Sequence, residues 1–359
     1  MIMITAKQTG RIARLYALLL VPCLLGMGLW GCVDDTSAPR MNMEQPVLLS
    51  ISNRALGAGD KQINTLRILL VAKNFDRTVV CNRFVANPGD PLFIEAVSGF
   101  YDVYVVANET HGTTSPYASL DGVRNLAALK SIALPYTTDR DLGNIPMFGL
   151  QPDVTITPPT GTPSSANPAT VSGPGFTAST NLPVPLTRLA CKVNLTIKRS
   201  NGTLKAIEFN NLPDAIPLFA DTYVTPVTRP VKTVTLTSDA TNNDLDKDLY
   251  PNQMIISNIL LPSWVFTPST SESEAVQLKA TVTEGTGSSA IDRSFTAAIG
   301  HDAGVATATK DYTLWRNHDY TLTTFITNQT MSVGASVLIW NDENLAVEDD
   351  NPVVPPLVP

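Results

Sequence analysis

Asp244, Asp246 and Asp248 carry carboxylates at alternate positions, a spacing that could begin a calcium-binding loop. Such a loop also needs a glycine at its sixth position and a glutamate at its twelfth, where this sequence has Leu249 and Ile255. We therefore interpret the run as a solvated acidic loop. No metal site is predicted from it.

The three histidines, His111, His301 and His318, are isolated in the sequence. No second histidine or glutamate lies at helical ligand spacing from any of them, so they do not predict a zinc site. The sequence also lacks a hydrolase nucleophile elbow, a P-loop and a glycine-rich dinucleotide motif. We predict a protein that is not an enzyme and needs no cofactor. An enzyme whose site is assembled from distant residues is the alternative.

The composition excludes one class of partner. The chain has 359 residues, a formal charge of −7 and only 16% charged side chains. Because no basic stripe is available to neutralise phosphates, we expect no binding to nucleic acid. Threonine, serine, asparagine and proline are plentiful, which is typical of strand-and-turn proteins outside the cytoplasm. The length favours two domains.

The amino terminus has the pattern of a signal peptide. Lys7, Arg11 and Arg14 precede an apolar run over residues 15–30 that is short for a transmembrane helix. We predict that residues 1–31 are a leader. A single transmembrane anchor is the alternative interpretation.

The apolar run is followed by Cys32, and residues 29–32 (LWGC) resemble the lipobox of bacterial lipoproteins. In that motif an apolar residue stands at position −3, a small residue at −1, and the cysteine becomes acylated. The resemblance implies that Cys32 carries lipid chains and anchors the precursor in the outer membrane, each buried CH₂ contributing about 0.8 kcal/mol.

The chain after the leader predicts an all-β first domain. Val47, Leu49 and Ile51 alternate with Leu48 and Ser50, so a short strand should place those three side chains on one face. Breakers fill the next residues, 53–60. One short helix is predicted at 119–129, with Ser119 as its N-cap. Further strands are predicted at 66–72, 78–81, 92–96 and 101–107.

Residues 152–185 are rich in proline, threonine, serine and glycine and have no apolar period, so we predict a surface loop leading to a domain boundary near Pro185. The following run, 189–198, alternates strictly and predicts a half-buried strand. Two β-sandwich domains with Greek-key connections are therefore expected. The other strands predicted in the second domain are 206–209, 231–236, 254–261, 276–283, 294–299, 320–327 and 332–340.

Two cysteines, Cys81 and Cys191, lie after the leader and apart from Cys32. They fall in different predicted domains. We therefore expect two buried free thiols rather than a disulfide.

Several segments, taken together, resemble the fimbrillin family, the type V pilins. The first, residues 52–60 (SNRALGAGD) followed by 66–71 (LRILLV), is similar to the family's maturation site and first retained strand. The others keep the family's order through both domains. They are 99–108 (GFYDVYVVAN), 185–193 (PLTRLACKV) and 337–340 (VLIW).

The resemblance implies transthyretin-like sandwiches and a maturation step. An arginine-specific protease would cut between Arg54 and Ala55, removing the lipidated propeptide 32–54 together with the strand that contains Val47, Leu49 and Ile51. The mature protein would then comprise an N-terminal domain, 55–185, and a C-terminal domain, 186–359. Loss of the strand would open a groove that another subunit fills with its own strand.

The resemblance also implies a donor strand near the carboxyl terminus. The candidate side chains are Leu345, Val347, Val353, Val354, Leu357 and Val358. Four prolines, at positions 352, 355, 356 and 359, each remove a ladder donor, so a shaft, tip, accessory or basal position stays open.

The implied partners are other fimbrial subunits, the protease, the outer membrane before maturation, and an unidentified host or bacterial surface ligand. The implied location is the outer membrane and then an extracellular fimbrium that supports adhesion. A tethered surface lipoprotein that binds glycan or protein is the alternative. It would retain its lipid and residues 33–54.

Overall fold

A computed structural model provides the structure of the chain. It describes residues 45–52, 62–110, 115–219, 230–236, 248–263, 272–301 and 311–340.

Strands dominate the first part of the described chain, which also contains two short helices. In chain order these elements are β1 (Pro46–Ser52), β2 (Thr65–Ala72), β3 (Val79–Ala86), β4 (Leu92–Val97), β5 (Gly99–Ala107), α1 (Ala118–Asp121), α2 (Leu126–Lys130), β6 (Ala133–Pro135), β7 (Met147–Thr157), β8 (Thr170–Gly173), β9 (Phe176–Ser179), β10 (Asn181–Pro183) and β11 (Thr187–Arg188).

The second part continues with longer strands. They are β12 (Ala190–Arg199), β13 (Thr203–Asn210), β14 (Ala215–Pro217), β15 (Lys232–Val234), β16 (Asn252–Pro262), β17 (Gln277–Glu284), β18 (Ile291–Ala298), β19 (His318–Ile326) and β20 (Met331–Ile339). Single 3₁₀ turns occur at Leu142–Asn144, Glu272–Glu274 and Gly287–Ser289. Among the described residues, no helix is long and apolar enough to cross a membrane.

Four sheets form the body of the protein. Strands from the first part make a three-stranded sheet, β10-β1-β4, and a larger one, β3-β2-β5-β7-β8-β9, with β11 paired to β7. Strands from the second part make two four-stranded sheets, β16-β12-β19-β20 and β15-β13-β17-β18. A small pair, β14-β6, joins elements from both parts. The predicted all-β fold class is confirmed.

Two buried apolar clusters fill the spaces between these sheets. Core A contains the inward side chains of β1 and β4 with one face of β2 and β5, and Trp340 also belongs to it. Core B contains the opposite face of β2 and β5, the helices and the inward faces of the second-part strands. Thus Leu66, Ile68 and Leu70 face core A while Leu69 and Val71 face core B. Burial on both faces explains why residues 68–72 of β2 are all apolar.

The clearest alternation in the sequence forms β12, as predicted. The strand pairs antiparallel with β16 and parallel with β19, where Lys192 lies opposite Asp319. Its inward side chains, which include Val193, Leu195 and Ile197, are fully buried in core B. The core therefore determines which face of β12 is buried, and pairing with β16 and β19 determines its register.

The prediction of a single helix at 119–129 with Ser119 as N-cap is wrong. The chain forms α1, passes through Gly122, and begins α2 after Asn125, whose side chain accepts a hydrogen bond from the N–H of Ala128 at 2.8 Å. Between the helices, Asn125 forms a bridge with Thr78. Pairing with the start of the β3 segment therefore interrupts the helical hydrogen bonds.

The prediction of a loop over 152–185 is also wrong, because β7 extends into this segment and β8, β9 and β10 follow it. Pro152 is tolerated because the β5–β7 register shifts between Tyr101 and Val103. Next to the proline, Asp153 has a φ of 55° and donates its N–H to a carboxylate oxygen of Asp102 at 3.0 Å. A side chain thus replaces a ladder partner at the bulge.

The domain boundary near Pro185 stays a prediction. The four large sheets separate by chain order near this residue, but core B contains side chains from both sides of it.

Candidate functional site

Strand β1 lies between two strands that have no other strand partner in the described part of the chain. It pairs antiparallel with β4, with Leu49 opposite Ile94, and parallel with β10, with Ile51 opposite Leu182. Removing β1 would therefore leave two facing strand edges. With neighbouring strands about 4.8 Å apart, the gap would be about 10 Å wide.

The inward face of β1 is the one that the alternation predicts. Val47 is 3% exposed, and Leu49 and Ile51 are fully buried in core A. Burying side chains of this size contributes about 1.5–3 kcal/mol each. The strand is thus a full member of the hydrophobic core and not a loosely attached edge.

Polar contacts fix β1 along its length. At its start, Ser98 donates its N–H to the Gln45 carbonyl at 2.8 Å and accepts the Gln45 N–H on its hydroxyl at 3.0 Å. In the middle, the Leu48 carbonyl accepts the N–H of Ala169 at 2.8 Å. Ser50 donates its hydroxyl to the side-chain oxygen of Asn181. These bonds set the register that keeps the apolar face inward.

The floor of this site is made by β2 and β5. Their core A side chains are Leu66, Ile68, Leu70, Tyr101, Val103, Val105 and Ala107. All of these side chains are uncharged and all but Ala107 are branched or aromatic, so without β1 they would be an exposed apolar surface between two strand edges. A donor strand with apolar residues at alternate positions has the matching pattern.

Trp340, the last described residue, belongs to the same core. Its ring lies 4.5 Å from the Arg188 guanidinium and 4.8 Å from the Lys192 ammonium. The main-chain N–H of Trp340 donates to the Asn317 carbonyl at 2.7 Å. Cation–π contacts of this kind hold an aromatic ring in place. The last of the described residues therefore lies in core A.

An ion network holds the β5–β7 bulge near this core. The Lys73 ammonium lies 2.6 Å from Asp102 and 2.7 Å from Asp153, and Arg77 also pairs with Asp102. Burial on its own would raise the pKa of Asp102. Its hydrogen bonds with Lys73, the Asp153 N–H and Arg77 outweigh that effect and lower the pKa.

The two body cysteines are free thiols, but they differ in exposure. Cys191 is fully buried, whereas Cys81 is only half-buried, so the prediction of two buried thiols is wrong for Cys81. Cys81 lies on β3, the edge strand of its sheet, where one face receives less cover. Burial raises the pKa of both thiols, which keeps them protonated and poorly nucleophilic at neutral pH.

Two of the three histidines lie in the described residues, and each is bonded to backbone. His301 donates its main-chain N–H to the Thr313 carbonyl, and the His318 ring nitrogen lies 2.7 Å from the Arg316 carbonyl. In the described ranges, no three His, Cys, Asp or Glu side chains are grouped closely enough to bind a metal ion.

Several predicted site residues lie outside the described residues. They are Cys32, Arg54, Ala55, His111, Asp244, Asp246, Leu345, Val347, Val353, Val354, Leu357 and Val358. Their lipidation, cleavage, loop and donor-strand assignments stay predictions.

Asn181 and Leu182 of β10 are site residues that no pattern in the sequence predicts. Leu182 is fully buried in core A, and Asn181 binds Ser50. A three-residue strand contains no detectable period, and its partner lies far away in sequence. The single apolar residue between Asn181 and Pro183 was the available signal.

No family model and no curated protein sequence matches the chain. Among solved structures, it is similar to the tip fimbrial protein Mfa3 from Porphyromonas gingivalis, in a form with a C-terminal truncation. The TM-score is 0.53 and the identity 15%, over 83% of this chain and 100% of that one. It is also similar to a "putative cell adhesion protein" from Parabacteroides distasonis. That TM-score is 0.52 and the identity 15%, over 83% of this chain and 99% of that one. The chain therefore has the fold of these fimbrial and cell-adhesion proteins, which is the fold that its resemblance to the fimbrillin family predicts.

Proposed function

We propose that the chain is a subunit of a cell-surface fimbrium that supports adhesion. It is made as a lipoprotein precursor, anchored in the outer membrane through Cys32, and cut after Arg54 by an arginine-specific protease. Cleavage frees β1, and another subunit supplies the strand that takes its place.

One observation carries this proposal. Strand β1 is the single strand partner of both β4 and β10 in the described residues, and it fills core A with Val47, Leu49 and Ile51. The segment most suited to be replaced is thus also the first strand that the described residues contain. The shared fold with a tip fimbrial protein supports the same assignment.

The physical consequence of losing β1 is assembly. Backbone N–H and C=O groups of β4 and β10 would face an open groove above an apolar floor, and both features are costly in water. A strand from another subunit restores the ladders and the apolar cover together. Polymerisation thereby completes each subunit's fold.

The place of this subunit within the fimbrium can also be proposed. The shared fold with a tip fimbrial protein favours a tip or accessory subunit as the second candidate. The prolines of the tail favour the same reading, because a proline-rich segment makes a poor ladder strand. A tip subunit accepts a donor strand and does not need to provide one.

The proposal is tested by treating purified precursor with an arginine-specific protease, sequencing the new amino terminus, and examining the product for oligomers that survive SDS without boiling. We expect a new terminus at Ala55 and a ladder of oligomers. The variant Arg54→Ala should remain uncut there and monomeric. Arg40→Ala, which changes another arginine of the precursor, is the matched control and should behave as the parent.

Two results would contradict the proposal. Intact protein after protease treatment favours a tethered lipoprotein that binds glycan or protein. Cleavage that yields only monomers, even when mixed with other fimbrial subunits, excludes strand exchange.

A further inference from the structure

A polar depression of about 570 Å³ lies at one end of the sheet β16-β12-β19-β20. It is formed by the turn after β12, the β19–β20 hairpin turn and the residues just before β16. The opposite end of this sheet contributes Ala190, Leu260 and Trp340 to core A. Because β12 has ten residues, the two ends lie about 30 Å apart. The depression is therefore remote from the β1 groove.

All eight described residues that line the depression are uncharged. Three of them carry side-chain amides and three carry aliphatic hydroxyls: Asn201, Asn328, Gln329, Ser200, Thr327 and Thr330. Amides offer donors and acceptors side by side, and hydroxyls offer both from one atom. Such a lining matches a ligand that is itself rich in neutral hydroxyl groups.

Hydrogen bonds fix the β19–β20 hairpin turn, while two side-chain amides of the depression remain able to form hydrogen bonds with a ligand. The Thr327 hydroxyl lies 2.9 Å from the Thr330 hydroxyl and accepts the Thr330 N–H at 3.1 Å. The Asn328 side-chain oxygen accepts the Ser200 hydroxyl at 3.4 Å. Within the described residues, the amides of Asn201 and Gln329 have no protein partner. A bound ligand can therefore use these groups without breaking existing bonds.

Tyr250 provides an aromatic wall. Its ring centroid lies 5.1 Å from that of Phe325 at an interplanar angle of 59°, and the Lys198 ammonium lies 5.4 Å from the Phe325 ring. This tilted contact limits the motion of the Tyr250 ring. A fixed aromatic face can pack against the C–H groups of a sugar ring while nearby amides bind its hydroxyls.

The lining disfavours two other ligand classes. An anion needs cationic or multiple backbone N–H donors, and no charged residue is among the described residues lining the depression. A purely apolar ligand would cover the side-chain amides of Asn201 and Gln329 without giving them partners, which costs binding free energy. We propose that this depression is a binding site for a neutral saccharide. A contribution of this site to adhesion rests on the proposed fimbrial function. Saccharide binding by the depression does not depend on that function.

The test uses purified full-length precursor and saturation-transfer NMR with methyl glycosides of glucose, galactose, mannose and N-acetylglucosamine, and with sialic acid as the charged probe. We expect transfer to at least one neutral glycoside and none to sialic acid. Asn201→Ala should weaken that binding about fivefold, as expected for one neutral hydrogen bond. Tyr250→Ala should abolish it, and Tyr250→Phe should retain the ring contact.

The control is Phe75→Ala, which removes an aromatic side chain that is fully exposed elsewhere. It should leave saccharide binding unchanged. Thermal unfolding of each variant separates loss of the site from loss of the fold, and Asn201→Ala changes only an exposed amide. No transfer to any neutral glycoside, transfer to sialic acid alone, or full binding by folded Tyr250→Ala overturns the proposal. Since binding is measured on uncut precursor, a failure of cleavage or assembly does not affect this readout.

Discussion

Ser50 and Asn181 are register partners in the parallel pair β1–β10, and the serine hydroxyl donates to the asparagine side-chain oxygen. The two residues are 131 positions apart. This bond attaches the segment before the predicted cleavage site to β10, one of the short strands that precede β12. It also makes β10 depend on β1, because β10 pairs with no other strand in the described residues.

The first prediction compares two adjacent leucines of β1. Leu49→Ala should lower the free energy of unfolding of the precursor by about 2–5 kcal/mol, because it leaves a cavity in core A. Leu48→Ala is the matched control, since that side chain is on the opposite face and only half-buried. Urea unfolding followed by circular dichroism measures both. Equal losses for the two variants would show that β1 is not packed as described.

The second prediction concerns Asn181. Replacing it with alanine removes the acceptor for the Ser50 hydroxyl, so Asn181→Ala should destabilise the precursor by about 1 kcal/mol. In protein that has lost β1, the same substitution should have almost no effect on unfolding, because the partner is gone. A loss of the same size in both forms would mean that Asn181 acts through some other contact.

Two kinds of strand can be predicted from local sequence patterns. Alternating apolar residues indicate a strand with one buried face, and a run of apolar residues indicates a strand that is buried on both faces. Residues 189–198 predict β12 closely because the core occupies one face of it. The apolar run 68–72 predicts β2, which is buried on both faces. In the site, Val47, Leu49 and Ile51 are buried as their alternation predicts.

The missed elements depend on contacts that have no local signal. β7 runs through Pro152 because Asp102 binds the neighbouring Asp153 N–H, and that carboxylate lies 51 positions away. β10 is held by Ser50 across an even longer separation. The helix at 119–129 is interrupted by a bridge to Thr78. Tertiary contacts thus override local preference at these places.

The third prediction is a pH dependence that comes from Asp102. Its pKa is lowered in the folded protein, so the carboxylate stabilises the fold above the ordinary aspartate pKa, about 4. That contribution is lost as the pH falls from about 4 through the lower folded value. Asp102→Asn should therefore reduce stability at pH 7 by about 1–3 kcal/mol and flatten the acid limb.

Chemical denaturation at a series of pH values measures this difference. Asp292→Asn is a useful control, because Asp292 pairs with Lys205 at an exposed site where salt bridges contribute little. It should change stability at pH 7 far less than Asp102→Asn. Parallel acid limbs for the parent and Asp102→Asn would contradict the assignment.

The fourth prediction separates the two body thiols. Because Cys191 is fully buried and its pKa is raised, iodoacetamide should not modify it until the protein unfolds. Cys81 is half-buried, so it should react slowly in the native protein and faster as the pH rises. Peptide mapping by mass spectrometry assigns each site. Native modification of Cys191 at the rate of Cys81 would contradict its placement in core B.

The fifth prediction tests whether the groove selects its strand by alternation. A synthetic peptide with the sequence of β1, residues 46–52, should bind protein that has been cut after Arg54 and stripped of its propeptide, raising its Tm and preventing SDS-stable ladders. A peptide with Leu49→Lys should fail on both measures, because the charge would enter core A, and burying an unpaired charge is strongly unfavourable.

The matched peptide with Leu48→Lys should still raise the Tm and prevent most of the ladder formation. Residue 48 lies on the opposite face of the strand from residue 49, because alternate side chains point to opposite faces. A one-residue shift in register would exchange the roles of the two positions. Failure of both lysine peptides would indicate that the groove rejects charge anywhere along the strand. Binding of both would mean that backbone pairing with β4 and β10 suffices, and that the buried positions of β1 do not determine which strand a neighbouring subunit can insert.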